Sequence, residues 1–222
     1  MSEKPILFNG EMVRAILDER KTETRRVVKL EGFEQADLYE TRDGDLVDPL
    51  TLCPYGKPGD RLWVRETWQL ISPDENWRPA EECKVIYRAT DNHPGYSLHD
   101  YAEVEGLAVG YEERMSDPVY PWRPSIFMPR WASRITLEVT GVRVERVQEI
   151  TEEDARAEGI TDGGCLNCGE HEPCGCADPR PDARDAFIYL WNSINAKRGF
   201  PWSSDPFVWV VEFKRITQTG GE

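Results

Sequence analysis

The run DERKTETRRVVK, residues 18–29, sets five basic residues and two threonines into a chain of formal net charge −14. Upstream of it, ILFNGEMVRAILDERK (6–21) reads as an amphipathic helix. Asn9 is a fitting N-cap, Glu11 falls in the first turn, and Met12, Val13, Ile16 and Leu17 share one face. The helix is expected to end near Arg20 or Lys21. TETRRVV (22–28) then has the threonine and valine content of a strand, so the basic run straddles a helix-to-strand junction. An extended backbone puts Thr22 and Thr24 on one face. A desolvated lysine among cations (here Arg20, Arg25 and Arg26) acquires a lowered pKa and can help activate a threonine hydroxyl. The plainer reading is a basic helix end that complements the macrodipole, followed by an exposed strand edge.

Outward from this junction the chain is uneven in charge. Residues 31–50 carry seven acids against one arginine, and 96–117 six against one, whereas 119–146 carry five arginines against two glutamates. The overall acidity argues against non-specific binding to phosphate backbones, yet it leaves two basic segments as local sites. At 39% hydrophobic and 31% charged residues over 222 positions, the chain reads as an ordinary globular protein, large enough to bury a core. No apolar run approaches the roughly 20 residues of a membrane span. MSEKPILFNG lacks the basic and long apolar regions of a secretory leader, so no membrane association and a cytoplasmic location are expected.

RLWVRETW (61–68), KVIYRA (84–89), ITLEVTGVRVERV (135–147) and FVWVVEFKRI (207–216) read as strands, the third with a clear period of two and a bend or bulge at Gly141. ITEEDARAEGI (150–160) carries a short helix, with Thr151 as N-cap, Asp154 completing a capping box, Ile150 stapling against Ala155, and Gly159 past the end. DARDAFIYLWNSINAKRG (182–199) is a second helix, N-capped by Asp182 and ended by Gly199, with Ala186, Phe187, Leu190, Trp191 and Ile194 as its apolar stripe. Strands separated by irregular loops do not form βαβ units. The expected class is α+β: a mixed β-barrel with helices packed at its ends, as one domain over 1–222.

No phosphate-binding loop, dinucleotide fingerprint or zinc-protease motif is present, and the three histidines, His93, His99 and His171, fall in loops. PWRPSIFMPRWASR (121–134) interleaves Trp122, Phe127 and Trp131 with Arg123, Arg130 and Arg134. Stacking rings and guanidinium forks suit single strands and extruded bases, while the alternative is a core of rings with paired arginines. CLNCGEHEPCGC (165–176) offers Cys165, Cys168, Cys174 and Cys176, with His171 able to replace one of them. Four thiolates make a closed tetrahedral zinc site, which orders a loop that lacks a core of its own; free thiols are the alternative.

ILDERKTETRRV resembles the opening motif of ASCH-domain proteins, in the PUA-like superfamily. YGKPGDRLWVRETW, ITEEDARAEGI and FVWVVEFKRI resemble that family's later turn-and-strand, short helix and terminal strand, in order. FMPRWASRI and LWNSINAKRG resemble the longer members found in phages and prophages. The resemblance implies a PUA-like fold with elaborations near 31–55, 69–120 and 161–181. Small bacterial members remove the acetyl group from N4-acetylcytidine. Their triad would fall on Lys21, Thr24 and Glu158, with Thr24 attacking the amide carbonyl, Lys21 assisting its deprotonation and Glu158 handling protons at the leaving amine. RNA or a modified nucleoside is then the implied partner. A non-catalytic RNA-binding module, with Arg20, Arg25 and Arg26 beside the aromatic-arginine segment, and a phage-encoded host-interaction protein are the alternatives.

Overall fold

The computed structural model describes residues 2–30, 33, 39–41, 43, 45–71, 83–91, 122–161, 167–168, 174–177 and 182–216. Nine strands and three α-helices follow one another among them. The chain runs β1 (Glu3–Leu7), α1 (Gly10–Leu17), β2 (Glu23–Val27), β3 (Tyr39–Glu40), β4 (Leu46–Val47), β5 (Arg61–Arg65), β6 (Trp68–Ile71) and β7 (Lys84–Tyr87). It continues with β8 (Thr136–Arg146), α2 (Glu152–Ala157), α3 (Ala183–Asn195) and β9 (Phe207–Ile216). A five-stranded sheet has the order β1-β5-β8-β9-β2, and β3-β4 and β6-β7 form two-stranded sheets. This is an α+β fold. No helix among the described residues is long and apolar enough to cross a membrane.

The chain divides into two compact units. The first comprises Met1–Lys4, Ala15–Leu62 and Leu137–Glu222, the second Pro5–Arg14 and Trp63–Thr136. In the first, α2 and α3 bury Ala155, Ala183, Phe187 and Trp191 with Val208 and Val210 of β9. Thr151 and Asp154 make the reciprocal capping box at 3.1 Å each way, and Asp182 caps α3 through the Asp185 amide at 2.7 Å. The buried stripe of α3 is Ala183, Phe187 and Trp191, a strict four-residue spacing narrower than the expected set. In the second unit, Trp68, Leu70, Met128 and Ala132 form the core, with Val85 and Tyr87 against it.

Helix α1 begins as expected, with Asn9 Oδ1 accepting from the Met12 amide at 2.8 Å. It stops at Leu17, earlier than the sequence suggests. Glu19 takes a φ of 61°, and the amides of Arg20 and Lys21 both return to the Ala15 carbonyl, at 2.9 and 3.0 Å. A left-handed residue therefore closes the helix while helix-favouring charged residues continue. The expected strand at 61–68 is broken at Glu66 and Thr67, and β6 runs on to Ile71. Gly141 lies within β8, where an added Cβ would meet Glu212 Oε2 at 2.5 Å.

Candidate active site and arginine-aromatic surface

In the first unit β2 pairs antiparallel with β9, matching Glu23 with Glu212, Thr24 with Val211, Arg25 with Val210 and Arg26 with Trp209. The pleat sends Glu23 and Arg25 to the face of Val210, where α3 packs, and Thr24 and Arg26 to the other. β2 is last in the sheet order, and residues 157–158 cover its outer edge. The Thr22 amide donates to the Ala157 carbonyl at 2.8 Å, and the Arg25 amide to Glu158 Oε1 at 2.6 Å.

Lys21, 137 positions from Glu158, lies beside it in an isolated antiparallel bridge. Lys21 Nζ donates to Glu158 Oε2 at 2.5 Å and to the Glu158 carbonyl at 2.8 Å. Both are buried, as is Thr24, at 2%, 4% and 2% exposure for Lys21, Glu158 and Thr24. Burial lowers the pKa of the Lys21 amine; Glu158 opposes that shift and Arg26 adds to it. The Thr24 hydroxyl makes no hydrogen bond among the described residues. The expected triad is thus half assembled: Lys21 and Glu158 touch, and Thr24 sits next to the amide that Glu158 holds. Thr22 is exposed and does not join them.

Gly159 permits this approach. Its φ is +88°, and a Cβ there would lie 2.7 Å from Ala15 Cβ and 3.0 Å from Lys21 Cβ. On the α3 face, Arg25 is bound by Glu23, by Glu145 at 2.7 Å and by Asp154 at 3.3 Å. Arg143 joins Glu23, Glu145, Asp154 and Glu212. Burial raises the pKa of the Glu23 carboxyl, with Arg25 opposing it. This network is not legible in the sequence, where Arg143 and Glu145 look like the solvent face of a strand. On the Thr24 face, burial pushes the Tyr55 hydroxyl up against the pull of Arg26, and lowers Arg26 itself.

The residues expected to contact nucleic acid separate sharply. Arg20 is exposed and donates to the Gly159 carbonyl at 2.9 Å. Arg25 is corrected: its side chain is 1% exposed and fully engaged by carboxylates, so it presents nothing to a phosphate. Arg26 is half-buried. In the second unit Trp122 is also corrected, being a 5% exposed core residue. Trp131 is 62% exposed and meets Trp68 edge-on at 5.8 Å, and Phe127 is 69% exposed. Arg123 lies 5.0 Å from the Trp68 ring centroid and Arg130 6.0 Å from that of Trp63, which Arg65 also approaches, at 5.5 Å. Arg134 is held in a two-point bond to Glu66, at 3.0 and 2.9 Å, over the Tyr87 ring. Trp63, Arg65 and Glu66 were not singled out in the sequence; alternation in RLWVRETW places Trp63 and Arg65 on one face.

Cys168, Cys174 and Cys176 bring their sulfurs within 4.8 Å of one another, a group able to hold a metal ion. Cys165 and His171 lie outside the described residues.

No family model matches the chain, and no curated protein is similar to it. Among solved structures it is similar to an ASCH domain from Lactobacillus crispatus JV V101, at 10% identity and a TM-score of 0.38, over 96% of this chain and 79% of that one.

Proposed function

We propose that this chain is an ASCH-type, nucleoside- or RNA-directed protein whose Lys21, Thr24 and Glu158 hydrolyse an acylated nucleoside such as N4-acetylcytidine. The observation that carries this reading is the buried 2.5 Å contact between Lys21 Nζ and Glu158 Oε2, made across 137 positions beside Thr24. In that chemistry Lys21, resting as the cation paired with Glu158, hands a proton to that carboxylate, a transfer that burial of the amine favours; the Thr24 hydroxyl oxygen then bonds to the acyl carbon and its proton passes to the freed Lys21 amine. The carbon–nitrogen bond then breaks, and the leaving amine takes a proton relayed through Glu158. Water adds to the acyl carbon, its proton passes by the same Lys21–Glu158 relay to the Thr24 oxygen as the carbon–oxygen bond to threonine breaks, and the free acid leaves. The direct test is incubation with N4-acetylcytidine and detection of cytidine and acetate. Release is expected from the wild type and its loss from Thr24→Ala, a substitution small enough to leave the fold intact. No turnover by folded, metal-replete protein over a panel of acylated nucleosides would overturn the reading.

A second reading, binding without catalysis, is favoured by the exposed Trp131 and Phe127 beside Arg123 and Arg130. Rings of this kind supply about 1–3 kcal/mol per stacked base. Salt-sensitive binding of single-stranded RNA that survives Thr24→Ala and falls with Trp131→Ala would select it. For the thiol group, we propose structural zinc on Cys168, Cys174 and Cys176, with Cys165 as the fourth ligand in a closed site.

A further inference from the structure

The second unit contains a cavity of about 340 Å³, whose walls include Asn9, Glu11, Arg14, Glu66, Thr67 and Arg88. None of these residues belongs to the Lys21–Glu158 site. Small-molecule sites begin near this size, at about 300 Å³. At roughly 30 Å³ per water, the space is much larger than a bare phosphate needs.

The wall chemistry has two signs. Glu66 is 1% exposed, and its two oxygens each accept one bond from Arg134. A carboxylate oxygen has further lone-pair capacity, so a ligand N–H can be received there and a ligand carbonyl is repelled. Arg14 and Arg88 are exposed at the wall, and Arg14 Nη1 is steadied by the Ala89 carbonyl at 3.1 Å. Their remaining donors suit an anionic oxygen group, phosphate in particular. At the start of α1 the amides of Met12 and Val13 are taken by Asn9, and the Glu11 carboxylate, exposed on the same wall, opposes an anion there, so the phosphate end rests on Arg14 and Arg88 alone.

We propose that this cavity binds a nucleoside monophosphate whose base carries an exocyclic amino group. The phosphate is held by Arg14 and Arg88, and the amino group donates to Glu66. Uridine monophosphate offers only an N–H set between two carbonyl oxygens, and inorganic phosphate leaves Glu66 unserved. This reading stands apart from the hydrolase proposal, and either can fail without the other.

Isothermal titration of the full chain with AMP, CMP, GMP, UMP and inorganic phosphate tests it. At least one amino-bearing nucleotide is expected to bind, with UMP and phosphate at least tenfold weaker. Arg88→Ala, at an exposed position, is expected to weaken that nucleotide at least tenfold, and Glu66→Gln to erase the preference over UMP. Should Glu66→Gln not fold, Arg14→Gln tests the phosphate end a second time: nucleotide binding is expected to weaken at least tenfold, and binding unchanged by it overturns the proposal. No binding at millimolar nucleotide, equal binding of UMP, or binding unchanged by Arg88→Ala overturns the proposal.

Discussion

Replacing Glu158 with Gln isolates the electrostatics of the buried pair, because the amide keeps the shape and retains an oxygen for the Arg25 N–H. What it removes is the negative partner of Lys21. The ammonium is then buried against an amide with Arg26 as a like-charged neighbour. The folded protein can respond by releasing the lysine proton, and this response caps the damage. An ordinary lysine titrates near 10.5, so holding one neutral at pH 7 costs at most about 5 kcal/mol at about 1.4 kcal/mol per pH unit. Breaking a buried pair by removing one partner typically costs about 3–5 kcal/mol, in line with that ceiling. The cap gives the loss a pH signature. In the variant the folded lysine has the more depressed pKa, so over the interval up to the wild-type value the unfolded variant binds more protons than the folded variant. Stability of Glu158→Gln therefore rises with pH in that interval while the wild type does not gain in step, and the gap narrows. Urea titrations followed by the fluorescence of the eight tryptophans at pH 7, 8 and 9 would measure it. A gap that is flat or widens with pH would refute the argument that Lys21 is a buried cation held by Glu158.

Gly159→Ala is expected to cost about 2–5 kcal/mol, combining left-handed strain with crowding of Ala15 and Lys21, whereas Gly199→Ala, at φ +90° in open space, is expected to cost only about 1–2. Comparing urea midpoints of the two separates strain from crowding. Arg134→Met leaves Glu66 buried without its cation, an expected loss of about 3–5 kcal/mol at neutral pH. Burial already raises the Glu66 pKa, and without Arg134 it rises further, so this loss should shrink as pH falls and the folded state keeps the proton; thermal midpoints at pH 5 and 8 check the sign. Elemental analysis of protein purified without chelator should find near one zinc per chain, and removal by a chelator should lower the thermal midpoint; less than a tenth of a zinc per chain would count against the thiol site.

Local signals were the legible part of the fold. Asn9, Thr151 and Asp182 cap their helices as their side chains suggest, because a cap involves only neighbours within one turn. β9 runs over the residues that its composition marks. The meeting of Lys21 with Glu158 was reached through a family resemblance, since nothing in either residue's own neighbourhood encodes a contact 137 positions away. The errors share one cause. By residue type Arg25 and Trp122 suit phosphate and base, but their engagement is set by distant partners: Glu145 and Asp154 for one, a packed interior for the other. The early end of α1 was hidden for a related reason, as Glu19 adopts a left-handed turn that its propensity disfavours.

The carboxylate of Glu158 holds the edge of β2 through the Arg25 amide as well as serving Lys21. A relative with this fold and without the proposed hydrolysis would still need an acid at this position to close that edge and neutralise a buried amine. Retention of Glu158 and Lys21 in such relatives would therefore report on folding as well as on chemistry. Thr24 carries no comparable structural duty among the described residues, so its replacement by valine, of nearly the same shape, is the change in a relative that would remove the proposed chemistry and leave the architecture.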